Sequence, residues 1–351
     1  MEPTLEKNIP TQKQADPSRI IQTGMGFWAS KTLLTAVKMG LFTRLGKGPL
    51  PATRIGEKLG IHQRSLYDFL DALVALGFLN RRGFRETAIY SNTRETDLFL
   101  NKRKASYIGG ILEMSNNRLY PFWNDLENAL RTGQPQNEVK GGNKPFFQEL
   151  YADEARLREF VSAMGGFQMH NFMAFSRQFD FSSYNTLCDI GGAGGNLATQ
   201  VAAKQPHMHC ITFDFPAVSV IAQENIDRLD FNPRVKVVGG DFFKDPFPEA
   251  DVITMGNILH DWGLEDKKFL ISKAYAVLPE GGSLVVIENI IDDLRRQNAF
   301  GLLVSLNMLI ETYEGFDYTA ADFTKWVKEA GFRESYKMRL NGPTSAVVAV
   351  K

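Results

Sequence analysis

The chain has 351 residues, and its 40 Lys and Arg are balanced by 40 Asp and Glu, so the formal net charge is zero. This length supports two domains, and a composition of 44% hydrophobic and 23% charged residues excludes a mostly disordered chain. The neutral balance removes any bulk attraction to nucleic acid or an anionic membrane.

Residues 1–20 are polar and carry Pro3, Pro10 and Pro17; they read as a disordered tail without the apolar stretch of a secretion signal. No window approaches the roughly 18 apolar residues of a membrane span. Cys188 and Cys210 are the only cysteines, which rules out a disulfide framework and predicts reduced thiols and a cytoplasmic location.

The pattern from Ile21 onward is helical, with Phe27, Trp28, Leu33, Leu34 and Val37 at three- and four-residue spacing. After a break at Gly46 to Pro49, residues 53–60 and 63–73 predict two helices joined by a tight turn at Gly60. Two short strands follow, turning at Arg82 and Gly83, and the set describes a winged helix. DNA recognition by such a module would use Arg64, Arg81, Arg82 and Arg85, but Asp68 and Asp71 on the second helix would repel a duplex. Dimerisation is the better reading, so residues 21–144 are taken as a dimerisation domain ending in the polar loop 131–144.

Residues 145–184 predict connecting helices dense in Phe and Met, including Phe146, Phe147, Phe160, Met164, Phe167, Phe172 and Phe175. Such residues are usually core, but they cover more than one helix face, which suits a helix lining a pocket. From 185 to 351 the period changes. Strands at 186–190, 209–214, 235–238, 251–255 and 283–288 alternate with helical segments, predicting a parallel sheet covered on both faces, closed by strands at 332–338 and 345–350. The fold class is therefore α/β, a Rossmann-like doubly wound domain behind a mainly helical N-terminal domain.

Asp189-Ile190-Gly191-Gly192-Ala193-Gly194-Gly195 joins a strand to a helix, where glycines allow backbone to approach a ligand closely. Dinucleotides and S-adenosylmethionine (SAM) both use such loops. Asp189 before the glycines would repel a pyrophosphate and attract a cationic ligand with a free amino group. Asp214 at the next strand end suits ribose hydroxyls, and Asp241 at the third suits an adenine amino group, with Gly240 beside it and Phe242 packing on the ring. A turn or cap role would explain any one of these acids, but three at successive strand ends favour SAM.

With these residues in place, the sequence resembles the class I SAM-dependent O-methyltransferases of the caffeate and acetylserotonin type, including their bacterial natural-product members. The likeness runs from about Ile21 to the carboxyl end and rests on Asp189-Ile190-Gly191-Gly192, Gly239-Gly240-Asp241-Phe242-Phe243, Leu259-His260-Asp261-Trp262, Pro279-Glu280-Gly281-Gly282 and Asn307-Met308-Leu309. It implies a homodimer, SAM as cofactor with S-adenosylhomocysteine (SAH) as product, and a small-molecule acceptor. It also implies His260 as general base, Glu288 as its orienting partner and Asp261 beside the sulfonium end. Asp317 in Phe316-Asp317-Tyr318-Thr319 stands as a shorter substitute for a second acid that the family usually writes Glu-Arg-Thr. Ala193 replaces a frequent glycine, and Gly256 replaces a lysine that some plant members set over the adenine.

A neutral imidazole with a pKa of about 6.5 suits the removal of a phenolic proton as oxygen attacks the methyl carbon. The expected acceptor pocket is Met164, Phe167, His170, Trp262, Asn307 and Met308, with Gln168 nearby. No metal is expected, because His260 and Asp261 supply two ligands and only Glu311 or Asp317 could complete a set. Three other readings stay open: methylation of carbon or nitrogen, a member that keeps SAM while catalysing hydroxylation or cyclisation, and a SAM-sensing transcription factor.

Overall fold

The computed structural model describes residues 15–140, 153–231 and 233–351. Most of the expected tail, the loop residues 141–144, and Phe146 and Phe147 lie outside them. Within the expected tail a helix already begins at Ser18 (Ser18–Gly24). The chain divides into two compact units, Met1–Lys104 and Ala105–Lys351. The division falls well before the loop that the sequence had suggested as the boundary, because residues 105–140 pack with the second unit.

In the first unit, helices Ala52–Leu59 and Gln63–Ala75 are joined through Gly60, whose φ of 68° is the left-handed stop that glycine adopts without cost. Strands β1 (Leu50–Pro51), β2 (Leu79–Arg82) and β3 (Ile89–Asn92) form an antiparallel sheet in the order β1-β3-β2. The wing therefore has a third strand, too short to be seen in a sequence pattern. Leu70, Leu73 and Tyr90 are fully buried beneath it, and the Tyr90 hydroxyl donates to Asp71 at 2.7 Å. Arg81 is also spent on Asp71, at 2.7 Å.

In the second unit, β4 (Thr186–Ile190), β5 (His209–Asp214), β6 (Val235–Gly239), β7 (Val252–Gly256), β8 (Ser283–Glu288), β9 (Glu334–Arg339) and β10 (Ser345–Val350) build one sheet in the order β6-β5-β4-β7-β8-β10-β9. All neighbours run parallel except β10, which is antiparallel to both β8 and β9. Alternate strand residues feed two cores. Cys188, Ile253, Leu284 and Val286 face one helical layer, and Leu187, Val252, Val285 and Ile287 face the other. Chain order reverses between β4 and β7, so a crevice opens beyond the carboxyl ends of the central strands, where ligands bind in open α/β sheets.

The helix Glu154–Gln178 starts at Asp153, whose side chain accepts the N–H groups of Ala155 and Arg156. It passes so close to the glycine loop that a Cβ on Gly165 would lie 2.1 Å from the Asn196 side chain. That approach sets Met164 and Gln168 at the crevice.

Candidate active site

The crevice encloses a cavity of about 510 Å³. Asp189, Gly191, Asp214, Phe242, His260, Asp261 and Trp262 line it together with Met164, Phe167, Asn307 and Met308. Residues far apart in sequence thus meet because each follows a strand or crosses above one.

At the end of β4, Asp189 is buried and its Oδ1 accepts the Thr254 hydroxyl at 2.7 Å. Burial pushes this carboxyl up to about 7, outweighing the Thr254 donation. Asp214, at the end of β5, accepts the N–H of Ala193 on Oδ2 at 2.8 Å and that of Phe215 on Oδ1 at 2.7 Å. Burial again dominates and raises it to about 6. The bond to Asp214 holds Ala193 at φ 48°, a left-handed conformation that an alanine adopts only at a cost. The loop has no slack: at Gly191, with φ 67°, a Cβ would sit 2.2 Å from Ile258 Cδ1.

His260 lies on the single 3₁₀ turn Leu259–Asp261 after β7 and is 6% exposed. Its Nε2 is 3.5 Å from Asp261 Oδ1, and its Nδ1 is 3.4 Å from Asp317 Oδ1. Burial disfavours the imidazolium, but the carboxylates of Asp261, Asp317 and Glu288 more than offset it and lift the pKa to about 10. The neighbouring carboxylates thus favour the charged form of the ring, where the sequence argument took a neutral imidazole. Burial also raises Asp261, to about 6.

Glu288 departs from its expected role. Its Oε1 accepts the backbone N–H groups of Ile258 and His260, each at 3.1 Å, so it builds the turn that carries the ring and leaves the ring nitrogens to the two aspartates. Neither Glu288 nor Asp317 lines the cavity; both stand behind His260. Asp241 is also off the cavity wall, because its Oδ1 accepts the Phe243 N–H at 2.9 Å and its Oδ2 pairs with Lys244 at 2.9 Å. Although burial works the other way, Lys244 and the backbone donors hold Asp241 below its usual value. Gly240 is needed for packing, since a Cβ there would strike the Phe213 ring at 2.6 Å. His170 is a correction: it is exposed on the Glu154–Gln178 helix and does not line the cavity, its turn facing Asn341, whose side chain donates to the His170 carbonyl at 2.6 Å.

Sequence reasoning missed Asn257, which stands on the cavity wall at φ 53° with a buried Oδ1 that has no hydrogen-bond partner among the described residues. It also gave Glu311 no role in the pocket. Glu311 faces the cavity one helical turn beyond Asn307, a spacing that was legible, and burial raises it to about 7 although Arg118 lies 3.3 Å away. The Asn307 Oδ1 is already taken by the Trp123 indole N–H at 2.8 Å. At Gly256 a Cβ would come within 3.3 Å of the Phe172 ring, so a longer side chain there would need that ring to shift.

The glycine cradle, the acids raised by burial and the unpartnered Asn257 oxygen fit a cationic ligand with hydroxyls to donate. Comparison with known proteins agrees with a methyltransferase class. The O-methyltransferase domain family matches residues 123–333, and the O-methyltransferase dimerisation domain family matches residues 21–102. The chain belongs to this O-methyltransferase family. It is 39% identical to the tetracenomycin polyketide synthesis 8-O-methyl transferase TcmO of Streptomyces glaucescens, over 95% of this chain and 97% of that one. It is also 31% identical to the N,N-dimethyltransferase OxyT of Streptomyces rimosus, over 97% and 98% of the two chains. The crystal structure of human N-acetylserotonin methyltransferase in complex with SAM superposes with a TM-score of 0.88 at 28% identity, covering 97% of this chain and 99% of that one.

Proposed function

We propose that this chain transfers the methyl group of SAM to a hydroxyl of a small aromatic acceptor held in the cavity, as part of natural-product secondary metabolism. The observation that carries the reading is His260, an imidazole on the wall of a cavity lined mostly by apolar and aromatic side chains, standing between two aspartates. Likeness to a polyketide synthesis O-methyltransferase supports an acceptor of polyketide type.

When bound, SAM supplies an electrophilic methyl group on a sulfonium centre. Asp214 has lone pairs left after its two backbone bonds and would accept from the ribose hydroxyls, while Asp189 would take the amino acid end. Phe242 and Trp262 form an edge-to-face pair, 5.9 Å between centroids, that walls an apolar slot. Asp261 meets the positive charge, and any cation brought to it disfavours the neighbouring imidazolium. His260, once neutral, takes the acceptor proton while Asp317 holds its Nδ1 side. Most of the rate comes from holding the acceptor oxygen in line.

The first two helices leave Ile20 75%, Ile21 58% and Trp28 62% exposed, an apolar face that suits a homodimer of the matched dimerisation domain. Among the described residues no helix is long and apolar enough to cross a membrane.

A second reading, transfer to nitrogen, is favoured by the OxyT relationship. Incubating the protein with methyl-labelled SAM and a panel of polycyclic phenols and aryl amines decides between them. Label on oxygen with stoichiometric SAH supports the first; label confined to nitrogen supports the second. SAM bound without SAH formed would reject both and point to a member that retains the cofactor for other chemistry.

A further inference from the structure

Lys267 is fully buried, on the helix Leu264–Val277, yet it does not line the cavity. A buried ammonium costs desolvation free energy and persists only where other groups engage it. Its Nζ donates to the Trp262 carbonyl, at the end of the turn that carries His260. The same Nζ stands 3.7 Å above the centroid of Phe316, the residue before Asp317, and 5.8 Å from that of Tyr318. The two aspartates that flank the imidazole therefore come from the two segments that Lys267 ties together.

The charges around it are lopsided. Glu288 from β8, Asp261 from the 3₁₀ turn, Asp317 from the loop before the helix Ala320–Ala330, and Asp266 from its own helix all act on Lys267. Three of these acids also surround His260. Without the ammonium, releasing the His260 proton would leave three carboxylates with no positive charge among them. With it, one of the three is balanced throughout.

We propose that Lys267 is a positioning residue for methyl transfer: it joins the His260 turn to the Asp317 loop and supplies the positive charge against which His260 releases its proton. The inference rests on His260 acting as the base. Burial pulls the Lys267 amine down to about 8, against the pull of the carboxylates, so the ammonium outlasts the imidazolium only once a cation beside Asp261 has lowered the ring from about 10 to below that value.

The test compares the wild-type protein with Lys267→Met and the milder Lys267→Gln. Titration of the His260 ring protons by NMR needs no substrate, so it judges this inference even if methyl transfer itself fails to be found. Loss of the ammonium is expected to move the His260 titration, and with it the acidic limb of the pH-rate profile, upward by on the order of one pH unit. Turnover would then fall about tenfold near neutral pH and recover in alkali, with KM for SAM within about threefold of wild type. An unmoved His260 titration, or a loss of turnover equal at every pH, would make Lys267 merely structural and overturn the proposal. Should neither variant fold, nitrogen-15 NMR of the wild-type lysines with SAM bound decides: a Lys267 that stays protonated through the His260 limb supports it, and one already neutral there overturns it.

Discussion

Replacing Glu288 separates two jobs that the side chain can do for His260. One Oε1 atom accepts two backbone N–H groups at 3.1 Å each, and the carboxylate charge also acts on the imidazole. Glu288→Ala removes both bonds and strands two donors, that of His260 buried; at about 1.5–3 kcal/mol for each bond to a charged group, the loss is about 3–6 kcal/mol. Glu288→Gln keeps an oxygen in the same place and converts two charge-assisted bonds to neutral ones, a loss of about 1–2 kcal/mol. Part of that is offset, because burial opposes the ionised Glu288 and raises its pKa. The glutamine variant also removes one negative charge near the ring. The His260 pKa then falls, and the acidic limb of the pH-rate profile moves down by about one unit. Thermal denaturation and kcat against pH, measured on both variants, test the argument. A glutamine variant as inactive as the alanine variant at every pH would refute it, and would return Glu288 to the ring-orienting role read from the sequence.

His260→Ala is expected to lower methyl transfer by about 10²-fold while leaving SAM affinity nearly intact, since in the proposed reaction the ring takes a proton and does not hold the nucleoside; an equal loss of both, by kinetics and calorimetry, would mark it as structural. Asp214→Ala should do the reverse, weakening SAM binding by about tenfold or more, and an unchanged Kd would place the ribose elsewhere. Asp189 and Asp214 titrate at about 7 and about 6, above the unfolded value near 3.8, so the folded chain holds protons that the unfolded chain releases and loses stability as pH rises through this window. A bound cation relieves that cost, so SAM affinity should rise with pH across the same region; a flat profile by calorimetry would contradict the burial argument. Gly191→Ala combines a φ of 67° with a Cβ 2.2 Å from Ile258, so melting temperature and SAM affinity should both fall, and a variant with wild-type values would show that the loop has slack.

Much of this architecture is written locally. The central strands of the sheet are short apolar runs, and Asp189 and Asp214 announce themselves by standing at strand ends, Asp189 just before the glycine loop. Helix, turn and hairpin in the first unit are equally local, and what escaped notice there, the two-residue strand β1 and the start of the first helix at Ser18, is short or marginal in sequence. These signals depend on backbone periodicity and on the φ angles that glycine alone takes freely, and both are properties of neighbouring residues. The wiring of His260 is of another kind. Glu288 holds a backbone and leaves the ring free, Asp317 arrives from a distant loop to stand 3.4 Å from Nδ1, and a lysine without any motif supplies the buried positive charge. His170 faces outward because helix phase is set by what the helix packs against. Charges acting through a dry interior depend on distances between segments remote in the chain, and only tertiary packing sets those distances.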